Sequence, residues 1–125
     1  MSTRSAIIMR DGNRYRGIYC HWDGYPEGVG AVLLKHYRDD DKIRRLMDLG
    51  DISILGSKLE PDTSSIHSFA NPQKDVTLAY TRDRGETGTK ATTGNTVRSV
   101  SSTIGHDGHV YVWDGKWSHN GKAMM

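Results

Sequence analysis

Near each end of the chain, apolar and polar residues alternate along a stretch that folds back on itself at an Asp-Gly dipeptide. The first stretch runs from Ser5 to Arg10, turns near Asp11 to Asn13 and returns through Tyr15 to Trp22. The second runs from His109 to Trp113, turns at Asp114-Gly115 and returns through Lys116 to His119. Asp-Gly supplies the positive φ that a tight turn needs, so both stretches predict antiparallel hairpins. In the returning strand of the first, the two-residue period puts Ile18, Cys20 and Trp22 on one face, with Tyr15, Gly17, Tyr19 and His21 on the other. The apolar set predicts the core face. In the second, the same logic sets Val112 opposite Trp117 and places His109 and His119 on different faces. Val76 to Arg82 alternates Val76, Leu78 and Tyr80 with Thr77, Ala79 and Thr81 and predicts a further strand.

Two segments carry the helical period instead. Between Gly28 and Tyr37 the stripe is Val29, Leu33 and Tyr37. Further on, Asp39-Asp40-Asp41 offers caps and favourable charge ahead of Ile43, Leu46 and Met47, with Gly50 at the C-terminal cap. Val97 to Ile104 fits either a short helix or a strand. Asp51 to Asp75 holds Pro61, Pro72 and a Ser/Thr cluster and reads as a long loop with a short strand at Ile52 to Leu55; Gly121 to Met125 is expected to fray. The fold class expected is therefore α+β: an antiparallel sheet with two short helices on one face. It forms a single domain over 1–125, with mobile loops near 56–75 and 84–96.

Charge and composition narrow the chemistry. Seventeen basic and fifteen acidic residues leave a formal charge of +2, which predicts no strong nucleic-acid footprint. The mean hydropathy of -0.64 and the lack of a long apolar run predict a soluble, cytoplasmic protein with no membrane partner. The one cysteine, Cys20, has no disulfide partner and supplies no thiol-based zinc site. Adjacent strand residues point to opposite faces, so Cys20 and His21 do not make a nucleophile and base pair. With His109 and His119 on different faces, the gathering of His106, Asp107, His109 and His119 is not read as a metal site, and no cofactor is expected. Gly85 to Thr92 lacks the Gly-Lys-Ser/Thr ending of a phosphate-binding loop.

The densest cluster of polar and aromatic residues runs from Tyr19 to Pro26, where a strand ends and a helix begins. Tyr19, His21, Asp23 and Tyr25 are the candidate wall of a ligand site. Arg82 and Arg84 are its candidate source of positive charge, suited to a planar anion such as a nucleotide.

With those residues placed, a resemblance emerges. Met1 to Ser5, the string Ile18-Tyr19-Cys20-His21-Trp22-Asp23-Gly24-Tyr25-Pro26, Leu33-Leu34, Tyr37, Leu49 to Ser53 and Tyr80 to Glu86 resemble a family of small proteins from bacteriophages and mobile elements. The likeness covers roughly the first two thirds of the chain; Thr87 to His106 departs from it, where that family more often has a helix. The resemblance implies a setting, the cytoplasm of a host cell, where small phage proteins commonly act by binding.

The leading expectation is thus an accessory protein that binds stoichiometrically as a counter-defence device, sequestering a nucleotide-type ligand or blocking a host protein. One rival is a phosphoester hydrolase with His21 as general base and Asp23 orienting it or holding a divalent ion. The other is a nucleic-acid-binding module. Tyr25, Tyr111, Trp113 and Trp117 together exceed what one small core readily covers, which predicts a homo-oligomer.

Overall fold

A run of four apolar residues, Ala6-Ile7-Ile8-Met9, is buried on both faces in the computed structural model, which describes residues 3–106 and 108–124. The run belongs to β1 (Ser5–Asp11), the middle of a mixed sheet. β1 pairs antiparallel with β2 (Arg14–Cys20) through a two-residue loop in which Gly12 takes φ 65°, as a II′ turn requires. On its other side it pairs parallel with β6 (Val110–Trp113), which continues to β7 (Trp117–His119) and β8 (Lys122–Ala123). Beyond β2 lie β3 (Ile52–Ile54), parallel to it, and β4 (Leu78–Ala79), while β5 (Thr92–Gly94) pairs with the first half of β2. The fold is α+β and mostly antiparallel, but with two parallel pairings. Met1, Ser2, Asp107 and Met125 lie outside the described residues.

Helices cover both faces, not one. On the first face, a π-helical turn at Pro26–Gly30 leads into α1 (Ala31–His36), followed by α2 (Asp40–Leu49). The Asp39 carboxylate caps α2 by accepting from the Lys42 amide at 2.8 Å. These helices bury Leu33, Tyr37, Ile43, Leu46 and Met47 on Ile7, Met9, Ile18, Cys20, Tyr111, Trp113 and Trp117. On the second face, α4 (Val97–Ile104) settles the ambiguous segment as a helix and lays Val97, Val100 and Ile104 over Ala6 and Ile8. A capping box, Thr96 with Ser99, starts α4, and Gly105 in the left-handed region ends it.

Three expectations are corrected. Trp22 does not sit on the core face: it is 41% exposed. The alternation stops at Cys20, because the next two amides, His21 and Trp22, both turn to β3 and donate to the carbonyls of Ile52 and Ser53. The strand expected from Val76 to Arg82 survives only as Leu78–Ala79. The chain then winds into α3 (Tyr80–Arg84), because the Asp83 carboxylate reaches back to accept from the Ala79 amide at 2.8 Å. In the last hairpin, Lys116 joins Asp114 and Gly115 in a three-residue loop, so the pairs are Trp113 with Trp117 and Tyr111 with His119. That one-residue shift puts Trp117 on the core face and His119 on the same face as His109.

With it goes the argument for self-association from surplus aromatics. Tyr111, Trp113 and Trp117 are core, each with a polar handle satisfied. Tyr111 donates to the Gly24 carbonyl, Trp113 to the Asp40 carboxylate and Trp117 to the Tyr37 carbonyl. Only Tyr25 of that set is exposed.

The long connections are also tied down. Between β3 and β4, the buried His67 side chain accepts from the Gln73 amide at Nδ1 and presents Nε2 to Asp83 at 3.3 Å and to the Thr77 carbonyl at 3.2 Å. Between α3 and α4, the Asp51 amide donates to the Thr89 carbonyl at 2.7 Å ahead of β5. No helix among the described residues is long and apolar enough to cross a membrane.

Candidate functional site

The site begins with a missing side chain. A Cβ on Gly17 would stand 2.6 Å from Val100 Cγ1, 2.9 Å from Ile8 Cγ1 and 3.0 Å from Ile104 Cδ1. Glycine there lets α4 come down onto the second face of β2. Two residues further along the same face comes Tyr19, and the C-terminal end of α4 delivers Thr103, Ile104 and His106 beside it. The remaining wall is Asp51, just past the α2 cap, with Gly88, Lys90 and Thr92 from the segment leading into β5. These residues line a concavity of about 340 Å³.

Two of its lining rings, Tyr19 and His106, begin a row that continues beyond the concavity. Tyr19 tilts against His106 with centroids 4.9 Å apart, its hydroxyl is hydrogen-bonded to His21 Nδ1, and His21 meets Trp22 edge to face at 4.8 Å. Desolvation, opposed by Arg4, raises the Tyr19 phenol above its ordinary value. Desolvation, reinforced by the charge of Arg4 and by His106, holds the His21 imidazole below its own. Both groups therefore stay neutral near pH 7. The half-buried Asp51 carboxylate accepts from the Tyr19 amide at 2.9 Å; burial raises its pKa, and that hydrogen bond partly offsets the rise. The arrangement offers ring faces for stacking, the Lys90 ammonium, a carboxylate and the hydroxyls of Thr92 and Thr103.

Of the residues singled out from the sequence, Tyr19 and His21 come together. Asp23 and Tyr25 form a separate pair. Asp23 stands at φ 58°, its carboxylate accepts from the Tyr25 hydroxyl at 3.2 Å, and its carbonyl accepts the Val29 amide that opens the π-helical turn. Among the described residues no hydrogen bond joins His21 to Asp23; the partner of His21 is Tyr19.

Arg82 faces inward. It donates to the carbonyls of Leu59 at 2.5 Å and Thr77 at 2.7 Å, and it lies 2.9 Å from the Asp83 carboxylate that also receives His67. Arg84 is paired with Glu86 and lies over the stacked rings of Phe69 and Tyr80. Cys20 is fully buried, with burial pushing its thiol up to about 12, so it behaves as a small core residue.

Asp51, Lys90 and His106 complete the concavity, and no local spacing announces them, since each comes from a different connection. Two follow helix-ending glycines, Gly50 before Asp51 and Gly105 before His106. That is the one signal in the sequence that these side chains stand at helix ends. No protein-family model, no curated protein and no solved structure matches the chain.

Proposed function

We propose that the protein is a small accessory protein of the phage and mobile-element kind. In this reading it works by stoichiometric binding and takes up a planar, anionic, nucleotide-type ligand in the concavity beside Tyr19. The observation that carries this is a cavity lined by the paired Tyr19 and His106 rings and by Lys90, with the row of rings continuing beyond it to His21 and Trp22. A base stacks on such rings at about 1–3 kcal/mol each, and an ammonium nearby suits a phosphate. Asp51 and the two threonine hydroxyls offer partners for ribose or base donors. At about 340 Å³ the cavity is near the small end of ligand sites, which run from about 300 to 1,000 Å³, and so favours a mononucleotide over a polymer. The net charge of +2 agrees with that. Sequestering such a ligand is the counter-defence role this reading assigns.

The test is calorimetric titration with a panel of linear and cyclic mononucleotides, followed by recovery of the ligand. The expected result is one ligand per chain, recovered intact, with at least tenfold weaker binding in Lys90→Ala and His106→Ala and unchanged binding in Lys35→Ala on the exposed side of α1. Turnover of the ligand at sub-stoichiometric protein, lost in His21→Ala, would replace the binding reading with the hydrolase one. Binding to none of the panel would remove the nucleotide reading.

A further inference from the structure

Stacking rings and an ammonium hold any nucleotide, and neither tells one base from another. In the concavity beside Tyr19 that choice falls to Asp51, the one acid among the residues that line it. Asp51 is fixed at both backbone and side chain. Gly50, at φ 79°, ends α2 and brings the chain so close to the segment before β5 that a Cβ there would stand 2.1 Å from the Thr89 carbonyl oxygen. The Asp51 amide donates to that same carbonyl at 2.7 Å, the Asp51 carbonyl accepts from the Tyr80 amide at 3.2 Å, and the carboxylate Oδ1 accepts from the Tyr19 amide at 2.9 Å. The acid is therefore held in place before any ligand arrives.

What the carboxylate lacks is donors. It can accept at about four lone-pair positions, and the Tyr19 amide fills one of them. Burial raises its pKa, the Tyr19 amide alone opposes the rise, and among the described residues no cation assists that amide. A half-buried anion with so little compensation costs stability, and the donors of a ligand offset that cost.

The common bases differ in what their pairing edges offer an acceptor. Guanine presents two adjacent donors, N1–H and the N2 amino group. Adenine and cytosine set a ring-nitrogen lone pair beside a single amino group, and uracil flanks its one N–H with carbonyl oxygens, so each of these turns an acceptor toward a group that only accepts. We propose, as a deepening that rests on the nucleotide reading, that the ligand is a guanine nucleotide and that Asp51 selects it by accepting from N1–H and the N2 amino group. A site built on such hydrogen bonds rejects a ligand that lacks the donors, because its own polar group is then left unpaired. Lys90 keeps the phosphate, and the Tyr19 and His106 rings keep the base face.

The experiment is calorimetric titration of the full chain and of Asp51→Asn with the monophosphates of guanosine, inosine, adenosine and xanthosine. The wild-type chain should bind the guanine form about tenfold or more tighter than the adenine form, with the inosine form, which keeps N1–H but lacks the N2 amino group, in between. Asparagine keeps an oxygen for the Tyr19 amide and offers the ligand a donor. Asp51→Asn should therefore lose about tenfold or more in guanine affinity and gain affinity for the xanthine form, which carries a carbonyl where guanine carries the amino group. Asp41→Asn, on the exposed side of α2, should bind as wild type. Circular dichroism reports whether the variants fold. Should Asp51→Asn fail to fold, the inosine comparison decides, and a guanine form bound no tighter than the inosine form overturns the assignment. Equal affinity for the guanine and adenine forms, or an unchanged preference in folded Asp51→Asn, overturns the choice of base and leaves the nucleotide reading standing. Binding to none of the four overturns both.

Discussion

Trp22 and Trp117 share a side chain and differ in everything that sets its energetic weight. Trp117 is 2% exposed, packs against Trp113 at 5.3 Å and donates to the Tyr37 carbonyl at 2.7 Å, whereas Trp22 is 41% exposed and rests on His21. Truncating a buried tryptophan removes its transfer free energy and leaves a cavity, so Trp117→Ala should cost about 3–5 kcal/mol, while Trp22→Ala should stay below about 1 kcal/mol. Urea denaturation checks the contrast. Equal losses would mean that Trp22 is core after all.

The sequence pointed to the opposite role for Trp22, since strict alternation from Ile18 through Cys20 ends on it. Alternation holds only while the backbone keeps the regular pleat of a strand. From His21 onward two consecutive amides bond to one neighbour, and parity lapses. Residue chemistry was read more surely than residue placement, because Asp39 and Gly50 act locally as caps and need no tertiary partner.

At the scale of elements, the clearest unread signal was Ala6 to Met9. An uninterrupted apolar run is the mark of a strand covered on both faces, and α4 is the cover on the second. Thr96 with Ser99, followed by Gly105, marks α4 as a helix by its ends, while its middle has too few apolar residues to choose between periods. The segment 56–75 was legible as a loop by its prolines, but its anchor was not, since His67 and Asp83 are 16 positions apart and meet only through the fold.

That anchor is testable. The side chains of His67 and Asp83 are 3% and 4% exposed, and the Asp83 carboxylate takes Ala79, Arg82 and His67 together. His67→Ala leaves the Gln73 amide without its acceptor and should cost about 1–3 kcal/mol. Hydrogen exchange should place the effect, with faster exchange from Glu60 to Gln73 and unchanged protection in β1 and β6. Uniformly faster exchange would mean that the anchor holds the whole domain and not the loop.

For the whole molecule, the sheet has two uses. Its first face holds the core of α1, α2 and the aromatic residues of β6 and β7, and its second face carries α4 and, past Gly17, the concavity. Tyr19, Asp51, Lys90 and His106 reach that concavity from four places in the chain. This is why only one of the four, Tyr19, was visible in the sequence. Arg82 looked available as a charge, but its guanidinium is drawn inward to the buried Asp83 carboxylate and the carbonyls of Leu59 and Thr77; Arg84 stays exposed, paired with Glu86 over the Phe69 and Tyr80 rings.

The most direct measurement of the central claim is a two-dimensional amide NMR titration of the intact chain with adenosine monophosphate and its cyclic form. Perturbations should concentrate at Tyr19, Asp51, Lys90, Thr92, Thr103 and His106, with the His21 and Trp22 ring signals moving as well. Shifts centred instead on Phe69, Tyr80 and Arg84, or on no contiguous surface, would contradict the placement of the ligand beside Tyr19.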